Sequence, residues 1–255
     1  MISDKYFYLP IYSTGALKKI KIKQKLEKKK SDFQEIQIIE TEKFGKCLII
    51  DEIIQTSEKD HQLYDREILR LMDKKDKKIL ILGGGDGYVA EEIVRRNPKA
   101  KVIIIDLDVE VVNSCKKTLA QKVFDQPNIN LYIGDAYFYL KAHSKEIKYK
   151  FDGIVCDLTD IPIGRRNKKE FESFFRKIIF YSHKVLKEKG WISIQSGASK
   201  TSNHYIDTVG IIKKILEKKF EKVFRSDIYI PSYGEKCAFL FGNKKAAIRK
   251  TTAKS

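Results

Sequence analysis

The residues best suited to chemistry are carboxylates that recur where short apolar runs end. Ile79 to Leu82 leads into Gly83-Gly84-Gly85-Asp86-Gly87, and Val102 to Ile105 into Asp106-Leu107-Asp108. Ile129 to Ile133 leads into Gly134-Asp135-Ala136, and Gly153 to Cys156 into Asp157-Leu158-Thr159-Asp160-Ile161-Pro162. A glycine-rich turn lets a ligand approach the backbone, and the helix after it offers free N–H groups. Asp86 argues against a dinucleotide there, because a carboxylate and a diphosphate would repel. It suits a cationic ligand. An acid at the tip of the second strand commonly bonds ribose hydroxyls, and one after the third can meet an adenine amino group. Taken singly, each acid also reads as a helix N-cap, where Asp is favoured. Three of them at three successive strand ends point instead to an S-adenosyl-type nucleoside. Asp157 and Asp160 sit where such folds face the reacting carbon. They make the pocket strongly negative inside a chain of net charge +17, which singles it out as a cation site.

The elements that must carry these residues follow from periodicity. Residues 1–60 read as a small antiparallel β domain. Ile20 to Leu26 and Phe33 to Ile39 alternate, Lys46 to Ile50 is a short apolar run, and Lys28 to Asp32 and Glu42 to Gly45 supply turns. From His61 the pattern changes. A helix is expected over Tyr64 to Met72, and strands then alternate with helices beginning at Tyr88, Val109, Ala136, Lys169 and Tyr205. Strands repeatedly followed by helices imply a parallel, doubly wound sheet. Val223 to Ile230 and Cys237 to Phe241, joined by Pro231-Ser232-Tyr233-Gly234, should close it with an antiparallel hairpin. The fold class is therefore α/β, a Rossmann-like methyltransferase-type sheet with a small N-terminal β domain. The catalytic domain spans 61–242, and 243–255 forms a basic tail expected to be disordered.

Composition narrows the function classes. No apolar run approaches the length of a bilayer span, and the N-terminus lacks the layout of a secretory signal. Cys47, Cys115, Cys156 and Cys237 form no C-x-x-C pair, which suits buried thiols in a reducing cytoplasm. His61, His143, His183 and His204 lack ligand spacing, so no metal is expected. A pI near 9.5 fits a nucleic-acid or acidic-membrane partner, or lysine written at every solvated position. The scatter of the lysines and the scarcity of arginine favour the latter. Trp191 reads as core, and Tyr137, Phe138 and Tyr139 as either an adenine sandwich or core.

The motifs together resemble the polyamine aminopropyltransferases, the spermidine and spermine synthases. The resemblance covers roughly residues 20 to 242. It rests on Ser31-Asp32-Phe33-Gln34, Lys43-Phe44-Gly45-Lys46, Gln55-Thr56 and Tyr64, on the four acidic strand ends, and on Gln195 and Pro231-Ser232-Tyr233. It implies decarboxylated S-adenosylmethionine as co-substrate, no prosthetic group, a di- or triamine acceptor, and a homodimer or homotetramer. Asp157 would be the general base. Gln34, Gly83, Asp86, Asp106, Asp135 and Ala136 would hold the donor, with Asp86 on its ammonium. Tyr64, Asp65, Asp157, Asp160, Gln195, Tyr233 and Glu235 would line the acceptor side. Two departures bear on the acceptor. Asp65-Arg66-Glu67 stands where a His-Glu pair usually follows the tyrosine, and Asp160-Ile161-Pro162-Ile163-Gly164 replaces Asp-Pro-x-Gly-Pro. Glu235 resembles a spermine synthase glutamate and is expected to extend acceptor choice beyond a diamine.

Charge supports this reading independently. The donor brings a sulfonium and an ammonium, and putrescine brings two more cations. One such pair 4 Å apart costs about 4 kcal/mol at an effective dielectric of about 20, so carboxylates must be present. Two other readings compete. An S-adenosylmethionine-dependent N-methyltransferase of a small amine would have to seat a donor carboxylate, which Asp86 opposes. A basic nucleic-acid-binding protein with a relic pocket would have no use for so many pocket acids.

Overall fold

The computed structural model describes residues 5–119, 121–146, 150–158, 167–202 and 205–246. The first sheet is antiparallel throughout and consists of β1 (Tyr6–Ile11), β2 (Ala16–Lys30), β3 (Glu35–Thr41), β4 (Gly45–Ile50) and β5 (Ile53–Ser57), in that spatial order. Two of these strands, β1 and β5, were not expected. β1 carries Pro10, which an edge strand tolerates because one side of it forms no ladder. β2 runs straight through Lys28, Lys29 and Lys30, where a turn was expected. Cross-strand and inter-element acids hold two of these lysines: Lys28 pairs with Glu35 at 3.1 Å, and Lys29 with Glu110 at 2.7 Å.

β3 is buried on both faces. Ile36 and Ile38 pack with Leu48, Val111 and Cys115, whereas Ile39 packs with Phe7, Leu9, Cys47 and Ile49 on the other side. Alternation sends successive side chains to opposite faces, so one strand serves both the sheet's own core and its seam with the second domain.

The second sheet has the order β11-β12-β10-β9-β6-β7-β8. Its strands are β6 (Lys78–Gly83), β7 (Lys101–Asp106), β8 (Ile129–Ile133), β9 (Phe151–Asp157), β10 (Leu186–Ala198), β11 (Lys222–Ile230) and β12 (Glu235–Asn243). β6 to β10 run parallel to one another, and β12 enters antiparallel between β10 and β11. This is the expected methyltransferase-type sheet with its terminal hairpin. The helices are α1 (His61–Ile68), α2 (Tyr88–Arg96), α3 (Val109–Thr118), α4 (Ala136–His143), α5 (Lys168–Val185) and α6 (Thr208–Leu216). The helix expected from Tyr205 begins at Thr208, where Asp207 caps it by accepting from the Gly210 N–H. Trp191 is 4% exposed in the core, and all four cysteines are buried and free. No helix among the described residues is long and apolar enough to cross a membrane.

Candidate active site

Strand register brings the acids together. Gly83 lies opposite Asp157, Leu82 opposite Ile105, and Asp106 opposite Ile133. Ile194 lies opposite Cys156, so Gln195 follows beside Asp157. Gly83, Asp106, Asp157 and Gln195 therefore share one edge of the sheet, at the carboxyl ends of four parallel strands. The glycine turn packs closely against it. Gly83 has φ +84°, and a Cβ there would overlap the Asp157 carbonyl oxygen; a Cβ at Gly85 would lie 2.7 Å from Asp106 Oδ2.

Two connected cavities open on this edge. The first, roughly 970 Å³ out to open solvent, is lined by Asp86, Asp106, Asp157, Tyr64, Gln195, Tyr233 and Glu235, and by Leu9, Pro10 and Tyr12 from the N-terminal sheet. The second, roughly 1140 Å³, is more apolar and is lined by Leu107, Asp135, Ala136, Leu158, Phe171, Phe174 and Phe175. Gln34, Asp106, Leu158, Gln195 and Gly197 line both. An apolar slot with a few convergent polar groups suits a nucleoside, and the acid-lined chamber suits its cationic end.

Local bonds fix the lining groups. Asp108 is buried and caps α3 by accepting from the Glu110 N–H at 3.0 Å; it also accepts from Ser31 at 2.6 Å and from Gln34 Nε2 at 2.9 Å. That bond fixes Gln34 where it lines both cavities. Asp106 accepts from the Asp108 N–H at 3.0 Å. Asp135 caps α4 through Oδ1, which accepts from the N–H groups of Tyr137 and Phe138. For Asp135, then, the capping reading holds, and the residue also lines the second cavity. Asp86 Oδ1 accepts from the Tyr88 N–H at 3.1 Å. The Tyr64 hydroxyl donates to Asp157 Oδ1, and the Tyr233 hydroxyl donates to the Gln55 carbonyl at 2.5 Å.

The chamber crowds carboxyl groups together in a buried setting. Burial, followed by the nearby carboxylates of Asp157 and Asp65, pushes Asp86 well above the usual carboxylate range. Burial raises Asp106 against the N–H bonds it accepts. Burial and then Asp157 raise the Tyr64 phenol, which stays protonated as a donor.

Not every expected group stands in the cleft. Asp65 is turned away from it. Its carboxylate is buried against His61 Nδ1 at 2.6 Å, and the His61 ring stacks on Tyr88 at 3.8 Å. Burial pushes Asp65 up to about 6. Glu235 does line the chamber, but not as a bare third acid: its two oxygens accept from the backbone N–H groups of Tyr12 and Ser13, each at 3.0 Å. Tyr137 and Tyr139 pack against the core and Phe138 is 65% exposed, so the apolar slot is built instead by Leu107, Leu158 and the α5 phenylalanines. The Phe-rich start of α5 reads in sequence only as amphipathic helix, and nothing there signals a ligand. Asp160 and His204 lie outside the described residues, as does the tail from residue 247.

A family model described as a spermine/spermidine synthase domain matches residues 61–254. The chain belongs to this family. A model described as a spermidine synthase tetramerisation domain matches residues 7–58. Among curated members of the family, the polyamine aminopropyltransferase of Hydrogenobaculum sp. is 32% identical, over 95% of this chain and 85% of that protein. Polyamine aminopropyltransferase 1 of Aquifex aeolicus is 31% identical, over 95% and 82%. Spermidine synthase from Thermotoga maritima has a similar fold, with a TM-score of 0.79 at 20% identity over 96% of this chain and 81% of that one. A spermidine synthase solved with the transition-state analogue AdoDATO gives 0.80 at 23% identity, over 96% and 82%. The chain is an enzyme of the aminopropyltransferase class, whose co-substrate is decarboxylated S-adenosylmethionine.

Proposed function

We propose that this enzyme transfers the aminopropyl group of decarboxylated S-adenosylmethionine to an aliphatic di- or triamine. Putrescine would give spermidine, or spermidine would give spermine or thermospermine, with release of methylthioadenosine. The observation that carries this reading is the place of Asp157, held by the Tyr64 hydroxyl in the acidic chamber next to Leu158 and Gln195, which line both cavities. The adenine would enter the slot beside Asp135 and Ala136, the ribose would lie against Asp106 and Gln34, and the ammonium would meet Asp86 beside Gly83. Tyr64, Tyr233, Gln195 and Glu235 would form the acceptor side, with Asp160 on the following segment. A neutral amine attacks the methylene attached to sulfur, the C–S bond breaks, and its electron pair leaves on sulfur as a thioether. The amine proton passes to Asp157. Aliphatic amines of this kind carry a pKa near ~10.4, so the carboxylate's acceptance of that proton lowers the barrier. In-line positioning supplies much of the rest.

The match of residues 7–58 to a tetramerisation domain supports a homo-oligomer joined through the first sheet, which mass measurement in solution tests. The buried free thiols support a cytoplasmic location, which fractionation tests. The central experiment is product analysis with decarboxylated donor plus putrescine, cadaverine or spermidine. Aminopropylated product supports the reading. Methyl transfer from intact S-adenosylmethionine, with no aminopropyl product, would replace it with the N-methyltransferase.

A further inference from the structure

The lining of the acidic chamber can be followed outward from the base. Tyr64 bonds Asp157, the Tyr64 ring meets the Tyr233 ring at 6.2 Å, and Glu235 follows two residues later at the start of β12. Glu235 then grips the tip of the β1–β2 hairpin through the Tyr12 and Ser13 amides. Tyr12 is thus the last group reached along this path, and three contacts fix it. Besides the Glu235 bonds, its carbonyl accepts from the Ser202 N–H at 3.0 Å, and its ring meets Tyr205 edge-on at 5.3 Å. The hairpin is also stitched to the β11–β12 turn by Lys18, whose Nζ donates to the Pro231 carbonyl at 3.0 Å. A loop tip held from three sides is a rigid wall, because moving it breaks charge-assisted bonds on partly buried groups.

The chemistry at this wall opposes a longer acceptor. The carboxylate of Glu235 is engaged by two backbone donors, and the next residue, Lys236, also lines the chamber. A triamine would press a further ammonium toward a lysine and an aromatic side wall. We propose that Tyr12 is a specificity-determining residue that closes the acceptor channel at diamine length, and that Glu235 is the positioning residue that holds it there. The inference rests on the aminopropyltransferase reading and narrows it to putrescine-length acceptors. It also reverses the expectation that Glu235 recruits a triamine.

The test is kcat/KM for putrescine and for spermidine, in wild type, Tyr12→Ala, Tyr12→Phe, Glu235→Ala and Glu235→Gln, with the melting temperature of each. Wild type uses putrescine in preference. Tyr12→Ala raises the spermidine-to-putrescine ratio by about tenfold or more, and Tyr12→Phe, which retains the ring, keeps the wild-type ratio. Glu235→Ala raises the ratio as Tyr12→Ala does, because the freed hairpin tip no longer holds the ring in place. Glu235→Gln keeps an acceptor oxygen and falls between. A purely structural role for Glu235 would lower the melting temperature and both activities in parallel, leaving the ratio fixed, and that result overturns the proposal. So does an unchanged ratio in Tyr12→Ala, or a Glu235→Gln that loses spermidine activity alone. If Glu235→Ala does not fold, Tyr12→Ala against Tyr12→Phe still decides. No product with any amine in wild type would instead remove the underlying reading.

Discussion

Asp157 and Asp86 line one acidic chamber, and the proposed reaction assigns them separable duties. Asp157→Asn preserves shape and the bond from Tyr64 but removes the proton acceptor. Its kcat should fall at least about 10²-fold while calorimetric donor affinity changes little; retention of a tenth of the rate would remove Asp157 from the base role. Asp86 makes a proton-linkage prediction. In the free enzyme, burial and the Asp157 and Asp65 carboxylates hold its pKa high, and an arriving ammonium favours the ionised form. The bound pKa is therefore lower than the free one. Donor binding should release a proton between those two values, and affinity should rise with pH through that window and level off above it. Calorimetry in two buffers of different ionisation enthalpy reads the proton directly. Asp86→Asn should abolish the release and weaken decarboxylated donor far more than methylthioadenosine, which lacks the ammonium. Stability runs the opposite way. A carboxyl whose folded pKa is raised costs stability as pH climbs from its unfolded value toward its folded one.

At the scale of elements, the turn Pro231–Gly234 is pinned by a residue with no motif to mark it. Asp60, buried just before α1, accepts from Ser57 Oγ at 2.5 Å, from the Ser232 N–H at 2.7 Å and from Ser232 Oγ at 2.8 Å. Asp60→Ala would leave a buried N–H and two hydroxyls without their acceptor. The expected cost is about 2–4 kcal/mol, read as a lower melting temperature, and Asp60→Asn should recover part of it. A loss under about 0.5 kcal/mol would mean that the turn is held by β11 and β12 alone. The same clamp shows what sequence can reveal. The strand ends bearing Asp86, Asp106, Asp135 and Asp157 are legible because buried apolar runs followed by Gly or Asp report both the strand and its edge. Asp60, Tyr12 and the direction of Asp65 depend on how α1 and the first sheet settle against the second, which no local period encodes. The Lys28–Lys30 segment misleads for a related reason: its partners, Glu35 and Glu110, lie across a strand pair and on α3.

For the whole molecule, charge is arranged in two opposing layers. The surface gives the chain a net charge of +17, while the cleft is lined by Asp86, Asp106, Asp157 and Glu235. A dicationic amine approaching from solvent therefore meets repulsion first and attraction only on entry. In unscreened water, the net charge of +17 acting on a dication about 30 Å away amounts to about 5 kcal/mol. The Debye length is about 30 Å at 0.01 M salt and about 8 Å at 0.15 M, so salt removes the distant repulsion. The attraction inside the chamber acts over a few ångströms between partly buried groups and is screened much less. Raising ionic strength from about 10 mM to about 150 mM should therefore increase kcat/KM for putrescine at least about twofold, with kcat nearly constant. Steering by the acidic cleft would give the opposite slope, because an attractive field reaching into solvent speeds encounter most at low salt. Initial rates at fixed pH across that range distinguish the two, and a falling or flat kcat/KM would show that the lysines do not govern approach to the site.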